Sequence, residues 1–230
     1  MFCHSCGSQV SSADSFCPRC GASLSAAAQP TAGPVWTPRP GITAQTGRWI
    51  GDGWAMVKDD LGIYAGLTLV TFVLGSMVPF VIQGPLTAGF FIYCMKRTLN
   101  RRAEFGDLFT GFNFFIPALV ASLVIAVLVG IGTLLCIIPG IVAAAACKFT
   151  YLFIVDKRMD FWQAIQASHA VVKNDYFGFT MFLVAMTLVN VLGFLCCIVG
   201  LLVTIPISVA AITVAYRDVV GFDPRSVETL

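Results

Sequence analysis

The sequence has few charged residues, and long stretches have none. Only 11% of its 230 residues are charged, against about 25% in a typical soluble domain. No Asp, Glu, Lys or Arg occurs between Leu61 and Met95 or between Tyr176 and Tyr216. Between Leu108 and Val155 the one charged residue is Lys148. Such runs exceed the length of about 18 residues that is typical of membrane-spanning helices, so the composition excludes an ordinary soluble protein.

The residue sets that enzymes commonly use are also missing. The chain has two histidines and contains no glycine-rich phosphate loop, and no pair of acidic residues lies in an apolar run. We therefore expect no enzymatic activity. A net charge of +2 is too small to indicate a nucleic-acid partner. The first 24 residues lack the apolar run of a secretory signal, which predicts a cytoplasmic N-terminus.

Four cysteines in the first 24 residues form two C-x-x-C pairs with ten residues between them: Cys3, Cys6, Cys17 and Cys20. Each pair can place two thiolates on one Zn²⁺, and the glycine after its second cysteine permits the tight turn. The segment is too short to fold on a hydrophobic core, so the metal would supply most of its folding energy. The spacing predicts a zinc ribbon at 1–24 that holds one structural Zn²⁺.

Two other uses of these cysteines fit less well. Disulfides would need an oxidising compartment, and a thioredoxin-like redox motif would need an α/β domain. The charged residues of this segment are Asp14 and Arg19, too few for a nucleic-acid surface. We expect the ribbon to contact a cytoplasmic protein or to serve as a structural unit.

Residues 25–47 have the composition of a linker. Pro30, Pro34, Pro38 and Pro40 occur among Ala, Thr, Gly and Gln. Such a stretch cannot form a packed core, so it predicts an extended, mobile tether.

The remaining sequence contains an internal repeat. Lys96, Lys157 and Arg217 each end an apolar run and recur about every 60 residues. A turn signal precedes each of them at Pro79, Pro139-Gly140 and Gly200. The pattern predicts three helical hairpins of shared orientation. The fold class is therefore an all-α polytopic membrane protein with six transmembrane helices.

The predicted spans are 61–78, 80–95, 114–137, 140–155, 177–198 and 201–216. They form hairpins at about 61–95, 114–155 and 177–216 of a membrane domain over 48–220, which a tail at 221–230 follows. The turns carry no charge, whereas Lys and Arg collect at the other end of the hairpins. By the positive-inside rule, both termini are expected in the cytoplasm, with the protein in the inner membrane.

A short amphipathic stretch precedes each hairpin. Trp49, Ile50 and Trp54 precede the first, Phe105 to Phe112 the second, and Phe161 to Val172 the third. Aromatic and aliphatic residues at helical spacing beside charged ones favour helices in the membrane interface. The alternative is a cytoplasmic helix that packs on the bundle.

Several short motifs resemble those of a known family. They are Ile138-Pro139-Gly140-Ile141, Phe153-Ile154-Val155-Asp156, Ala164, Ser168, Val172-Lys173 and Gly178. Roughly over 48–220, the chain resembles bacterial and archaeal membrane proteins akin to the membrane domain attached to some glycerophosphodiester phosphodiesterases. Many of these are six-span proteins, some with an N-terminal zinc ribbon. The catalytic phosphodiesterase domain is absent, so the resemblance implies membrane location and no catalytic residue.

Lys148 is the candidate functional residue within a span, about 13 Å deeper than Lys157 by helical rise. A charge at this depth is costly and indicates a functional site, unless its side chain snorkels to the interface. Thr87 and Ser208 fall at the same level of the repeat, which suggests a polar layer. Asn190 is expected to form an interhelical hydrogen bond.

Two functions fit these predictions. The first is a non-enzymatic membrane protein whose ribbon recruits a cytoplasmic protein partner. The second is a small transporter, channel or lipid-handling protein that uses Lys148. Membrane lipids are expected partners in both cases, and a homo-oligomer is compatible with the sequence.

Overall fold

The structure, a computed structural model, describes residues 41–77, 81–196 and 199–223, together with Ser8, Arg19, Cys20 and Ser226. The chain divides into two compact units, Met1–Trp36 and Thr37–Leu230. All helices described lie in the second unit, and the described residues contain no β-strand. The prediction of an all-helical membrane domain is confirmed at this level.

Ten α-helices lie in the described residues of the second unit. They are α1 Thr46–Lys58, α2 Leu61–Met77, α3 Gln83–Thr98, α4 Asp107–Thr110, α5 Phe115–Leu135, α6 Ile137–Ala146, α7 Thr150–Lys157, α8 Phe161–Val172, α9 Tyr176–Leu195 and α10 Leu201–Val219, and a 3₁₀ turn at Gly111–Phe114 joins α4 to α5. The three predicted hairpins correspond to α2–α3, α5 with α6 and α7, and α9–α10.

Several of these helices are long and apolar enough to cross a membrane. Among the described residues, four stretches qualify by length and composition: Asp107–Leu135, Ile138–Lys157, Tyr176–Leu195 and Leu201–Val219. A fifth is obtained if α1 and α2, which meet at a bend of 99°, form one broken span. Helix α3 has 16 residues, or about 24 Å of rise, against about 30 Å of hydrocarbon. The structure is thus compatible with a multi-pass membrane protein, while length alone gives four or five spans instead of six.

The turn of the second hairpin lies earlier than predicted. Cys136 is extended, and α6 already begins at Ile137, so Pro139 and Gly140 lie in the first turn of a helix. Proline is tolerated there because the first helical N–H groups have no partner within the helix. In the third hairpin, α10 begins directly after Gly200, as predicted.

The helices differ in where they lie in the bundle. Helices α3, α7 and α10 carry most of the buried side chains. Helices α2, α5 and α9 leave large apolar side chains exposed, for example Phe72 at 62%, Ile116 at 72% and Leu192 at 63%. In water such a surface would be unstable, whereas against lipid it is the expected outer face of a membrane bundle.

Each hairpin is preceded by a short helix, which is α1, α4 or α8, and neighbouring hairpins pack in one repeated way. Helix α4 packs on α3, α8 packs on α6 and α7, and α1 packs on α10. The outer helices follow the same order, since α5 packs on α3, α9 on α6, and α2 on α10. Each short helix therefore contacts the last helix of another hairpin, and α1 joins the first hairpin to the third.

Small residues permit two of these contacts. A Cβ atom on Gly53 of α1 would lie 2.8 Å from the backbone nitrogen of Ala211 in α10. A Cβ atom on Gly111 would overlap the backbone of Pro85 and Gly89 in α3. Both positions therefore exclude larger side chains.

The aromatic residues of the short helices divide between the core and the surface. Trp49 is buried, packs against Phe179 and Phe182, and donates its ring N–H to Asp218 over 3.1 Å. It is a core residue, contrary to the interfacial position that the sequence suggested. Trp54 is 44% exposed, and Phe105, Phe109, Phe112 and Trp162 are exposed as well. The short helices thus pack on the bundle with one face and leave aromatic side chains on the other.

Candidate functional sites

The predicted zinc site falls almost wholly outside the described residues. Cys3, Cys6 and Cys17 lie there, and Cys20 is described as an exposed residue in a turn with Arg19. Within the described part of the chain, no group of three or more His, Cys, Asp or Glu residues could hold a metal ion. The four-cysteine ligand set therefore remains a prediction from the sequence.

Lys148 lies at an interruption of the second hairpin's return helix. Helix α6 ends at Ala146, α7 begins at Thr150, and residues 147–149 form a turn between them. The Lys148 side chain is half-buried, and it forms no hydrogen bond or ion pair with another described residue. The sequence predicted a continuous helix over 140–155, so this break is a feature that it missed.

Ser168 of α8 accounts for the break. Its hydroxyl accepts a hydrogen bond from the backbone N–H of Phe149 over 3.1 Å and donates one to the carbonyl of Ala146 over 2.6 Å. Ser168 is fully buried. A side chain inserted into the helical hydrogen-bond ladder is a known cause of local distortion. The serine satisfies two backbone groups that the interruption frees, so α8 and the break depend on each other.

The structure does not join Lys148, Thr87 and Ser208 by hydrogen bonds. The Thr87 hydroxyl donates to the carbonyl of Gln83 over 2.7 Å in its own helix. The Ser208 hydroxyl donates to the carbonyl of Thr204 and accepts from Asn190 over 2.8 Å. The Asn190 bond links α9 to α10, which confirms the interhelical role predicted for that residue.

Of the cavities lined by described residues, two lie among the spans. The first, of about 350 Å³, lies between α5, α6 and α9 and is almost wholly apolar. The second, of about 400 Å³, lies between α2, α3 and α10, and polar side chains line part of it. These are Thr68, Thr71, Ser76, Gln83 and Thr87. Lys148 lines neither cavity, whereas Thr87 lines the second.

Asp156, near the end of α7, is the centre of a buried polar network. Its carboxylate accepts hydrogen bonds from the Tyr216 hydroxyl over 2.9 Å, the Asp223 backbone N–H over 2.9 Å and the Ser226 hydroxyl over 2.6 Å. The Lys157 ammonium lies 3.3 Å away. From the sequence, Asp156 was named only as part of a motif and was given no role of its own. A single acid after a long apolar run was the available signal of a role in the fold.

The basic residues that mark the repeat each have acidic partners. Lys96 lies 2.8 Å from Asp107, and Arg217 lies 3.1 Å from Asp218. Lys157 contacts Asp156 and, at 3.8 Å, Asp223. The Lys96 pair connects α3 to α4, and the Lys157–Asp223 pair connects α7 to the C-terminal segment, whereas Arg217 and Asp218 are neighbours within α10.

Comparisons with known proteins give a family match at the N-terminus and distant relatives of a longer part of the chain. The family model of the zinc-ribbon domain matches residues 2–24, which shows a zinc ribbon at the N-terminus. Uncharacterized proteins of Mycobacterium bovis and Mycobacterium tuberculosis are 27% identical over 152 residues, which is 66% of this chain and 46% of theirs. The chain thus spans less than half the length of these curated relatives. No solved structure matches. The resemblance to the phosphodiesterase-linked membrane domain is not shown by these matches and stays a prediction.

Proposed function

We propose that this chain is a membrane anchor that presents its zinc ribbon to a protein partner at the cytoplasmic side of the inner membrane. One observation carries the proposal: a zinc-ribbon match over residues 2–24 precedes a bundle of helices apolar enough to cross a membrane. Zinc ribbons of this size hold little chemistry beyond the metal site itself. A contact surface attached to the membrane is therefore the function that best fits the combination.

The packing of the bundle supports anchoring over transport. Tyr64, Tyr93, Phe149, Phe153 and Tyr216 are fully buried. Ring contacts join many of these residues, such as Phe153 with Tyr216 at 5.1 Å and Tyr64 with Tyr93 at 5.2 Å. A close-packed aromatic interior leaves no room for a solute among those rings.

The architecture we infer is a ring of three hairpin units with six membrane crossings. The repeated packing supports it, because each short helix contacts the return helix of another unit and α1 on α10 completes the cycle. The spacing of matched residues along the sequence supports it as well. Gly53, Gly111 and Ser168 are spaced by 58 and 57 residues, and each lies at such a contact. The short α2 and α3 would cross with local thinning of the bilayer.

A binding experiment tests the anchor proposal. The full chain and a variant with Cys3, Cys6, Cys17 and Cys20 replaced by serine would be purified from membranes with their bound proteins. Cys136→Ser with Cys196→Ser is the matched control, because it removes thiols outside the ribbon. We expect about one zinc ion per chain and a specific partner in the wild type and the control. Both should be lost in the ribbon variant. Partner binding that survives the loss of zinc would contradict the proposal.

Lys148 favours the second candidate, a transporter or lipid-handling protein, because a lysine within a span that pairs with none of the described acidic residues is energetically costly. Lys148→Leu tests it, with Lys173→Leu as a control at an exposed position. If Lys148 only snorkels, the variant keeps its thermal stability and its cellular phenotype. Loss of phenotype with unchanged stability in the Lys148 variant alone would favour the second candidate.

A further inference from the structure

A cavity lined by arginine lies at the basic end of the bundle. Its volume is about 580 Å³, and it lies between the end of α1, the segment after α3 and the end of α10. Four arginines line it, and Asp59 is the acidic residue in that lining. We call these four arginines the arginine pocket: Arg97, Arg101, Arg102 and Arg217.

The arginine pocket lies at the depth where lipid headgroups are expected. Arg97 comes two residues after the uncharged run that ends at Met95, and Arg217 directly follows the run that ends at Tyr216. Residues at the end of a spanning helix lie at the boundary between hydrocarbon and water. Met56, Thr98 and Asn100 complete the lining, and Met56 adds apolar contact beside the charges.

The backbone at the end of α3 directs two of the arginines. Asn100 has a φ of 54°, in the left-handed region that asparagine tolerates better than most residues. The Asn100 N–H donates to the carbonyl of Arg97 over 3.0 Å, and the Arg101 N–H donates to that of Lys96 over 2.9 Å. This pair of bonds is the Schellman arrangement that ends a helix and turns the chain aside. It fixes the point from which Arg101 and Arg102 leave the helix.

Acidic residues outside the lining orient the other two arginines. Arg97 pairs with Asp60, and Arg217 pairs with Asp218 at 3.1 Å. A guanidinium group has five N–H donors, so a contact with one carboxylate leaves donors for a second anion. The comparable end of α7 differs, because Asp156 and Asp223 both contact Lys157 there.

We propose that the arginine pocket binds the phosphate of an anionic phospholipid headgroup. Guanidinium groups match phosphate oxygens with two parallel hydrogen bonds, which an ammonium group cannot do. Basic pockets between helices at the membrane boundary are suited to anionic headgroups. The volume is within the range of ligand pockets, about 300–1,000 Å³. This site is independent of the zinc ribbon and gives the bundle a preference among lipids.

The test measures lipid binding by the purified full chain. Native mass spectrometry would report lipids that remain bound after detergent extraction. Nanodiscs of phosphatidylcholine with and without phosphatidylglycerol would give the relative affinity. The pocket variant is Arg101→Gln with Arg102→Gln, and the control is Arg158→Gln with Lys173→Gln. The control removes the same charge at the same end of the bundle, outside the pocket. Inorganic phosphate and glycerol phosphate serve as soluble competitors.

We expect phosphatidylglycerol to remain bound to the wild type and the control. Both variants lose two basic residues, and each basic residue near the surface contributes roughly fivefold to the binding of anionic lipid without any site. Beyond this shared loss, the pocket variant should bind phosphatidylglycerol about tenfold more weakly than the control does. An equal loss in both variants would overturn the proposal in favour of general surface charge. Competition by micromolar inorganic phosphate would overturn the lipid assignment and indicate a soluble phosphate ligand. If the pocket variant does not fold, the wild type alone decides, because absence of retained anionic lipid contradicts the site.

Discussion

At the level of single residues, Asp156 is a buried and strongly constrained polar group of the second unit. Its carboxylate is 2% exposed and accepts three hydrogen bonds, two of them from the segment after α10. A buried charge is tolerated only when it is paired and hydrogen-bonded. Asp156 therefore holds the C-terminal segment against α7, and residues 221–223 owe their position to it.

Asp156→Asn tests this role. The amide keeps the shape of the carboxylate but turns an NH₂ group toward donors, so hydrogen bonds are lost inside the protein. We expect a cost of about 2 kcal/mol, seen as a fall in apparent Tm of about 4–8 °C for a chain of this size. Asp160→Asn, at an exposed acid in the connection between α7 and α8, should change Tm by less than about 1 °C. Equal effects of the two substitutions would contradict the buried network.

At the level of helices, the interruption between α6 and α7 depends on contacts with another helix. Its stability depends on Ser168, which lies on another helix and bonds to both Ala146 and Phe149. Phe149 and Ala146 are themselves buried, so water cannot easily reach the two backbone groups that the Ser168 hydroxyl bonds.

Ser168→Ala should leave a buried N–H and a buried carbonyl without a partner. The expected cost is about 1–3 kcal/mol, measured as a lower apparent Tm in detergent. Faster hydrogen exchange is expected at Phe149. Ser76→Ala is the matched control, because Ser76 is exposed and bonds only to the carbonyl of Val73 in its own helix. If the two variants have the same apparent Tm, Ser168 does not support the break.

A second prediction concerns the contact of α1 with α10. Gly51 and Gly53 lie two residues apart in α1, and a Cβ atom meets nothing within 4 Å at Gly51 but meets the Ala211 backbone at 2.8 Å at Gly53. Gly51→Ala should stabilise the protein by up to about 1 kcal/mol through helix propensity. Gly53→Ala should destabilise it by about 1–3 kcal/mol through overpacking.

The two variants differ only in position, so their opposite signs report the contact itself. Thermal unfolding in the same detergent would compare them with the wild type. A stabilising Gly53→Ala would show that α1 does not pack on α10 at this distance.

These examples also show what the sequence could predict. The long uncharged runs predicted helices within a few residues, because each span must satisfy its own backbone hydrogen bonds in lipid. The break at 147–149 was not predictable, since its cause lies about twenty residues away on α8. Trp49 was misassigned for the same reason: amphipathic spacing shows that a helix has an apolar face, but not what covers it. The Lys148 site stays a prediction, and the zinc ligands other than Cys20 lie outside the described residues.

At the level of the whole molecule, the number of crossings decides the topology. Six crossings place both termini on one side of the membrane, and five place them on opposite sides. The two counts differ at α2 and α3, whose 17 and 16 residues are close to the lower limit of about 17 for a span. Charge supports two crossings, because Lys96 and Arg97 lie in the last turn of α3 and the hairpin turn has no charged residue. By the positive-inside rule, we then expect the end of α3 in the cytoplasm.

Reporter fusions test this arrangement directly. Green fluorescent protein fluoresces when it is fused at a cytoplasmic position, and alkaline phosphatase is active when it is exported. Fusions after Asn100 and after Leu230 should fluoresce, and fusions after Ser76, Cys136 and Cys196 should give phosphatase activity. We expect the basic clusters to hold the first set of sites inside, because moving Arg or Lys across the bilayer is costly. Phosphatase activity after Asn100, or fluorescence after Ser76, would mean that the first hairpin does not cross twice. The ring of three equivalent units would then be wrong, whereas the packing of α1 on α10 would still need an explanation of its own.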